Sequence, residues 1–187
     1  MANTAMAAGT DSGTIVGNIA TISYSVDGTT QPEIESTESG NTISGVGEGS
    51  ETTFVVGTTI NLTLVETGST FTPVAAGSLL QSTSFTLTNL GNDSQGYNLT
   101  AANNVTALFG VADAFDVGTF AYYTDDNNNG LVDGSDALKT SVLSLAPETS
   151  INLRVTATIP VSEADSAQST IILTAVTTTD GTTTAVV

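Results

Sequence analysis

The residues best suited to chemistry lie between Thr124 and Thr140, in TDDNNNGLVDGSDALKT. Counted from Asp125, the run reads D-x-N-x-N-G-x-x-D-x-x-D. Asp125 stands first, Asn127 third, Asn129 fifth, Gly130 sixth, Leu131 seventh, Asp133 ninth and Asp136 twelfth. This is the spacing of a twelve-residue loop that curls around a hard cation needing six to eight oxygens at ~2.3–2.6 Å. Asp125, Asn127 and Asn129 turn side-chain oxygens inward, Gly130 permits the sharp turn, and Leu131 offers its backbone carbonyl. Asp136 closes the shell, Asp133 ligates directly or through water, and Val132 is expected to anchor the loop to a core. Without a cation the carboxylates repel, two charges ~4 Å apart costing roughly 1 kcal/mol even in water. A solvated Asn/Asp/Gly turn is the plainer reading, but it does not require a match at six spaced positions. Calcium is preferred to magnesium, which tends to keep its waters.

The rest of the chain narrows the chemistry. It holds no Cys and no His, which excludes thiol catalysis, a Ser-His-Asp triad and the common zinc sites. Any metal site must therefore be built from oxygen. Nineteen Asp and Glu face two cations, Lys139 and Arg154, for a net charge of −17. Such a surface suits neither nucleic acid nor an anionic membrane. No apolar run is long enough to span a bilayer. Charged residues are only 11% of the chain and hydrophobic ones 39%, so 187 residues can build a real core. No nucleophile–base pair can be named, and with 5% aromatics and no Trp the chain lacks sugar platforms; a non-enzymatic role is expected.

The elements that must position the loop are strands. In TSINLRVTATIP, Ile151, Leu153, Val155, Ala157 and Ile159 alternate with polar residues until Pro160, which predicts a half-buried strand. TIVGNIATISYSV puts Val16, Ala20, Ile22, Tyr24 and Val26 on one face. TTFVVGTTINLTLVE does the same for Phe54 and Val56, then Ile60, Leu62 and Leu64, with a bend at Gly57. SFTLTN and TFAYYT are shorter strands, and STIILTAVTTT suits a central one. Turns fall at VDGTT, LGNDSQG and TTDGTT. Helix is allowed for at most a turn or so, in ANNVTALFGVADAF or just after Asp136. The polar stretch from Gln31 to Glu51 reads as a linker or long loop. The expected architecture is all-β: an immunoglobulin-like antiparallel β-sandwich with an N-terminal strand on a loose linker. Its divisions are a leader or signal-peptide remnant over 1–12, carrying Ala5-Met6-Ala7, the strand and linker over 13–50, and the sandwich over 51–187 with the loop at 125–136.

The loop is similar to the calcium loops of dockerins and EF-hands, but FAYYT before it reads as strand where they have helix. A longer resemblance is carried by AGTDSGTIVGNIATISYSVDGTTQP, by TFVVGTTINLTLVETGSTFTPVAAGSLLQSTSFTLTNLGNDSQGYNLTA with its turn from Thr88 to Asn92, and by YYTDDNNNGLVDGSD with LSLAPETSINLRVTATIP. These segments resemble the conserved β-sandwich repeat domain of secreted bacterial surface proteins. The resemblance implies an extracellular or cell-surface structural module; Ser39 to Ser50 looks inserted relative to it.

Two further features bear on function. Asn89, Asn92 and Asp93, with Asp113 and Asp116, could hold a second calcium, although two polar loops at one end of a sandwich are the preferred reading. The β-prone Thr14–Val26 segment can pair within its own chain, or serve as a donor strand to a neighbour's open edge and build a homopolymer. The sequence thus predicts a calcium-stabilised structural protein that self-assembles into a filament or layer. The alternative is a monomeric calcium-dependent adhesin or carbohydrate-binding module with a glycan or cell-surface partner.

Overall fold

The computed structural model describes residues 9–68, 71–106, 112–179 and 183–186. The chain forms two compact units, Thr10–Thr58 and, apart from the first nine residues, Thr59–Val187. Among the described residues no helix is present, and none therefore is long and apolar enough to cross a membrane. Ala5-Met6-Ala7, the ALFGV run of the first permitted helix and part of the TTDGTT turn lie outside the described residues.

The unit Thr10–Thr58 is a two-stranded antiparallel ribbon built from six short strands: β1 (Ile15–Asn18), β2 (Thr21–Ile22), β3 (Ser25–Val26), β4 (Thr29–Thr30), β5 (Ile34–Glu35) and β6 (Thr52–Val55). They pair in nested order, β3 with β4, β2 with β5 and β1 with β6. Asp27 and Gly28, at φ 48° and 79°, make the two-residue turn at the tip. Both residues need the left-handed region there, which Asp tolerates and Gly adopts freely.

This ribbon corrects three expectations. The Thr14–Val26 strand does not hang on a loose linker; its pairing residues meet the segment that follows. Gln31–Glu51 is not a plain linker either. Ile34 and Glu35 are paired strand, the Glu35 carboxylate accepts the backbone N–H groups of Gly47 and Gly49 at 2.9 and 3.0 Å, and Asn41 donates to the carbonyls of Glu35 and Glu48. Its polar side chains fold back on the main chain, which composition alone does not reveal. Finally, Thr52–Val55 pairs with β1, so the bend foreseen at Gly57 falls beside the division of the chain rather than within one strand.

The second unit is a β-sandwich of two antiparallel sheets. One holds β7 (Leu62–Glu66), β8 (Gln81–Asn89), β10 (Gly118–Thr124), β11 (Ala137–Lys139) and β13 (Ser150–Thr158), in the order β11-β10-β13-β8-β7. The other holds β9 (Gln95–Asn104), β12 (Ser141–Leu145), β14 (Thr170–Thr177) and β15 (Thr184–Val186), in the order β12-β9-β14-β15. Alternation sends one face of each strand inward. Leu62, Leu64, Phe85, Leu87, Leu153 and Val155 from the first sheet meet Tyr97, Leu99, Val142, Leu145, Leu173 and Ala175 from the second in one buried cluster. A smaller cluster of Val117, Ala157 and Ile159 fills one end. Between the sheets, the backbone N–H of Ala101 donates to the Tyr122 hydroxyl at 2.6 Å.

The predicted alternation in β13 and the interior place of β14 both hold. Yet β13 is more than half-buried, because Arg154 and Thr156 on its other face are 8% and 0% exposed. After Asp136, where a helical turn was allowed, the chain runs straight into β11, paired with β10.

Candidate metal centre

The acidic stretch is the hairpin loop between β10 and β11, closed by the Thr124–Ala137 pair. The sheet therefore fixes the two ends of residues 125–136 side by side. At the start of the loop Asp125 is buried, and its backbone N–H donates to the Asn152 carbonyl of the adjacent β13 at 3.0 Å. On the outside Asn152 donates from its side chain to that of Asn128 at 2.7 Å. The turn then needs two left-handed residues, Asn128 at φ 54° and Gly130 at φ 75°. Asn is among the few side chains that accept this region, and Gly has no side chain to clash.

The expected ligand positions are drawn into one hydrogen-bonded ring. The Asp125 carboxylate accepts the backbone N–H groups of Asn129 and Gly130, both at 3.0 Å. Asp133 accepts the side-chain amides of Asn127 at 3.2 Å and Asn129 at 2.7 Å. Asp136 accepts the backbone N–H groups of Asp126 at 3.1 Å and Asp133 at 2.9 Å. The Asn127 and Asn129 side-chain oxygens accept the backbone N–H groups of Asn129 and Leu131 at 3.1 and 2.8 Å. First, third, fifth, ninth and twelfth positions are thus tied across the loop, while Leu131 is bound through its N–H and its side chain is exposed.

Donors around a carboxylate favour its charged form. The backbone N–H of Ser135, then the amides of Asn129 and Asn127, hold Asp133 below the ordinary carboxylate value. Backbone and amide N–H dipoles thus offset part of the repulsion among Asp125, Asp133 and Asp136. Among the described residues no group of three or more His, Cys, Asp or Glu side chains is gathered closely enough to hold a metal by themselves. The oxygens that this loop can offer are a mixture of carboxylate, amide and main-chain carbonyl, the mixture that calcium accepts. Val132 does not anchor the loop: it is half-buried and belongs to neither apolar cluster. A hairpin loop projects from the sheet end, and Asp125 with the Asn128–Asn152 contact ties it down instead.

Asn89, Asn92 and Asp113, weighed for a second calcium, make hydrogen bonds within the fold. Asn89 is fully buried; its amide donates to the carbonyls of Asp93 and Leu145 at 2.8 and 2.9 Å and accepts the Gly91 N–H at 2.9 Å. Asn92 accepts the Thr59 N–H at 2.6 Å. Asp113 accepts the Thr170 N–H at 2.7 Å, beside its bridge to Gln168. These contacts pin loops.

Sequence reasoning missed Arg154 as part of this region. It stands on the outer face of β13, next to Asn152, and lines a cavity of about 270 Å³ with Asp125, Asn128 and Gly130. The only available signal was its rarity, one Arg in 187 residues, placed on the strand that supports the loop.

No protein-family model matches this chain, and the curated proteins contain no match to it.

Proposed function

We propose that this chain is an extracellular, calcium-stabilised structural subunit that self-associates on a surface through its N-terminal ribbon. Asp125, Asn127, Asn129, Leu131 (by its carbonyl), Asp133 and Asp136 are the proposed ligands. The observation that carries the calcium reading is the ring itself: a twelve-residue loop whose spaced oxygens are drawn together by a hairpin clamp. When bound, the ion supplies the positive charge that this acidic chain lacks. Extracellular sites of this kind bind at ~0.1–1 mM, a range that suits external fluids and not cytosol.

Association is supported by the exposed ribbon. Ile15, Ile22, Val26, Phe54 and Val55 are each more than half exposed there. A two-stranded ribbon is at best marginally stable alone, and unpaired strand edges with apolar side chains invite another chain. Repetition of one head-to-tail contact builds a filament. The resemblance to secreted bacterial surface proteins points the same way. A monomeric calcium-dependent adhesin is the second reading, favoured by the cavity beside the loop.

Sedimentation velocity in chelator and then in millimolar calcium tests the proposal. Large calcium-dependent particles are expected from wild type, and Ile22→Ser with Phe54→Ser should reduce them to monomer. A compact monomer in both conditions contradicts self-assembly and leaves the adhesin reading.

A further inference from the structure

Arg154 is an unusual residue for its surroundings. It is 8% exposed, yet among the described residues its hydrogen-bond partners are the hydroxyls of Ser84 and Ser82, the latter at 2.9 Å. Its Nε has no partner in the structure. A buried guanidinium ordinarily pairs with a carboxylate, because hydroxyl dipoles replace only part of its lost hydration. The chain has nineteen acids, yet among the described residues none is paired with Arg154. Asp125 lines the same cavity, and each of its oxygens accepts one N–H group, from Asn129 and from Gly130.

Apart from Asp125, the cavity around this cation is lined by neutral residues, the apolar Phe85 and Leu153 among them. Ser84, Thr86, Asn128 and Asn152 supply hydroxyls and amides. Thr86 and Asn128 are each hydrogen-bonded to Asn152, at 2.9 and 2.7 Å, so the wall is held together. At about 270 Å³ the space falls just below the ~300–1,000 Å³ of typical small-molecule sites, which limits the occupant to a small polar group.

We propose that this cavity binds a carboxylate, received by the buried Arg154 guanidinium with the Ser84 hydroxyl and the Asn152 side-chain amide. The planar guanidinium fork matches a carboxylate in shape as well as charge. The carboxylate comes either from a free sugar acid or from an acidic side chain of a second copy of this chain. Asp125, a proposed calcium ligand, lines the same cavity, but the contacts named here to a carboxylate use no metal.

The single arginine makes the test specific, because the protein has one Arg Hε–Nε resonance. In chelator, the full chain at low concentration is titrated with acetate and with glucuronate against chloride at matched ionic strength. A saturable shift of the Arg154 Hε–Nε signal with either carboxylate, absent with chloride, supports a free ligand. The same shift on raising protein concentration alone supports a carboxylate from a second copy. An Arg154 signal that stays still, or drifts linearly as it does in chloride, in both series overturns the proposal. Arg154→Lys keeps the charge and loses the fork; it should bind at least tenfold more weakly, read on the amides of Asn152 and Gly130. Equal binding by a folded Lys variant also overturns it.

Discussion

The sandwich and the ribbon use the same sequence pattern to opposite ends. In β13, Leu153 and Val155 alternate with polar residues and are each 1% exposed. In the ribbon, Ile22 and Val26 alternate just as regularly and are 62% and 52% exposed. Alternation dictates an extended chain with one apolar face in both cases. In the sandwich a second sheet covers that face; on the described ribbon these side chains are exposed. Period two therefore reports strand and leaves open what the strand is for, and an apolar face left uncovered is a reason to look for a partner.

The widest way to sharpen this contrast is to remove apolar groups from each region. Leu87→Ala, in the buried cluster between the sheets, should cost about 2–5 kcal/mol in urea unfolding. Ile22→Ala on the ribbon should change the same transition by less than about 0.5 kcal/mol. Comparable losses would mean that the ribbon face is covered and that the contrast is false.

Polar burial separates the regions next. Asn89→Ala strands the Asp93 and Leu145 carbonyls and the Gly91 N–H within the sandwich. A loss of roughly 2–3 kcal/mol is expected, since each buried unsatisfied group costs about 1–3 kcal/mol. Asn41→Ala, which frees two carbonyls at more exposed contacts in the ribbon, should leave the main transition in place.

The smallest effect is confined to strong alkali. Tyr97 is fully buried, and burial pushes its phenol up to about 12. Its folded value lies above its unfolded one, so the stability it contributes is complete below the ordinary value near 10 and is lost as pH rises towards 12. Phenolate absorbance should show one of the four tyrosines ionising last and together with unfolding, and Tyr97→Phe should abolish that coupling. Ionisation of all tyrosines near 10 in the folded protein would place Tyr97 at the surface.

Much of the sandwich is legible in the sequence because its strands are long and strictly alternating: Leu153 to Ile159 and the Leu62–Leu64 pair point where the pattern says. The loop is legible in its spacing, since Asp125, Asn127, Asn129 and Gly130 follow a covalent count that survives any tertiary context. The ribbon was harder. Its strands are two to four residues long, and the partner of Ile34 and Glu35 is chosen by a turn at Asp27–Gly28 and by side-chain bonds from Glu35 and Asn41, not by periodicity. Arg154 was illegible because burial of a polar position on a strand depends on what lies across the neighbouring strands. Ser82 and Ser84, which receive its guanidinium, are about seventy residues away in the chain.

The central claim is that the ring at residues 125–136 is a calcium site that stabilises the sandwich. The most direct test is thermal unfolding of wild type and of Asp125→Ala/Asp136→Ala, each in chelator and in calcium. With a dissociation constant of ~0.1–1 mM, calcium at about 10 mM adds roughly 1.4–2.7 kcal/mol to the wild type. That gain corresponds to a rise of about 3–10 °C in Tm for a chain of this size, and the double variant should show none of it. Identical melting of the two proteins in calcium, or a wild type indifferent to chelator, would contradict the account.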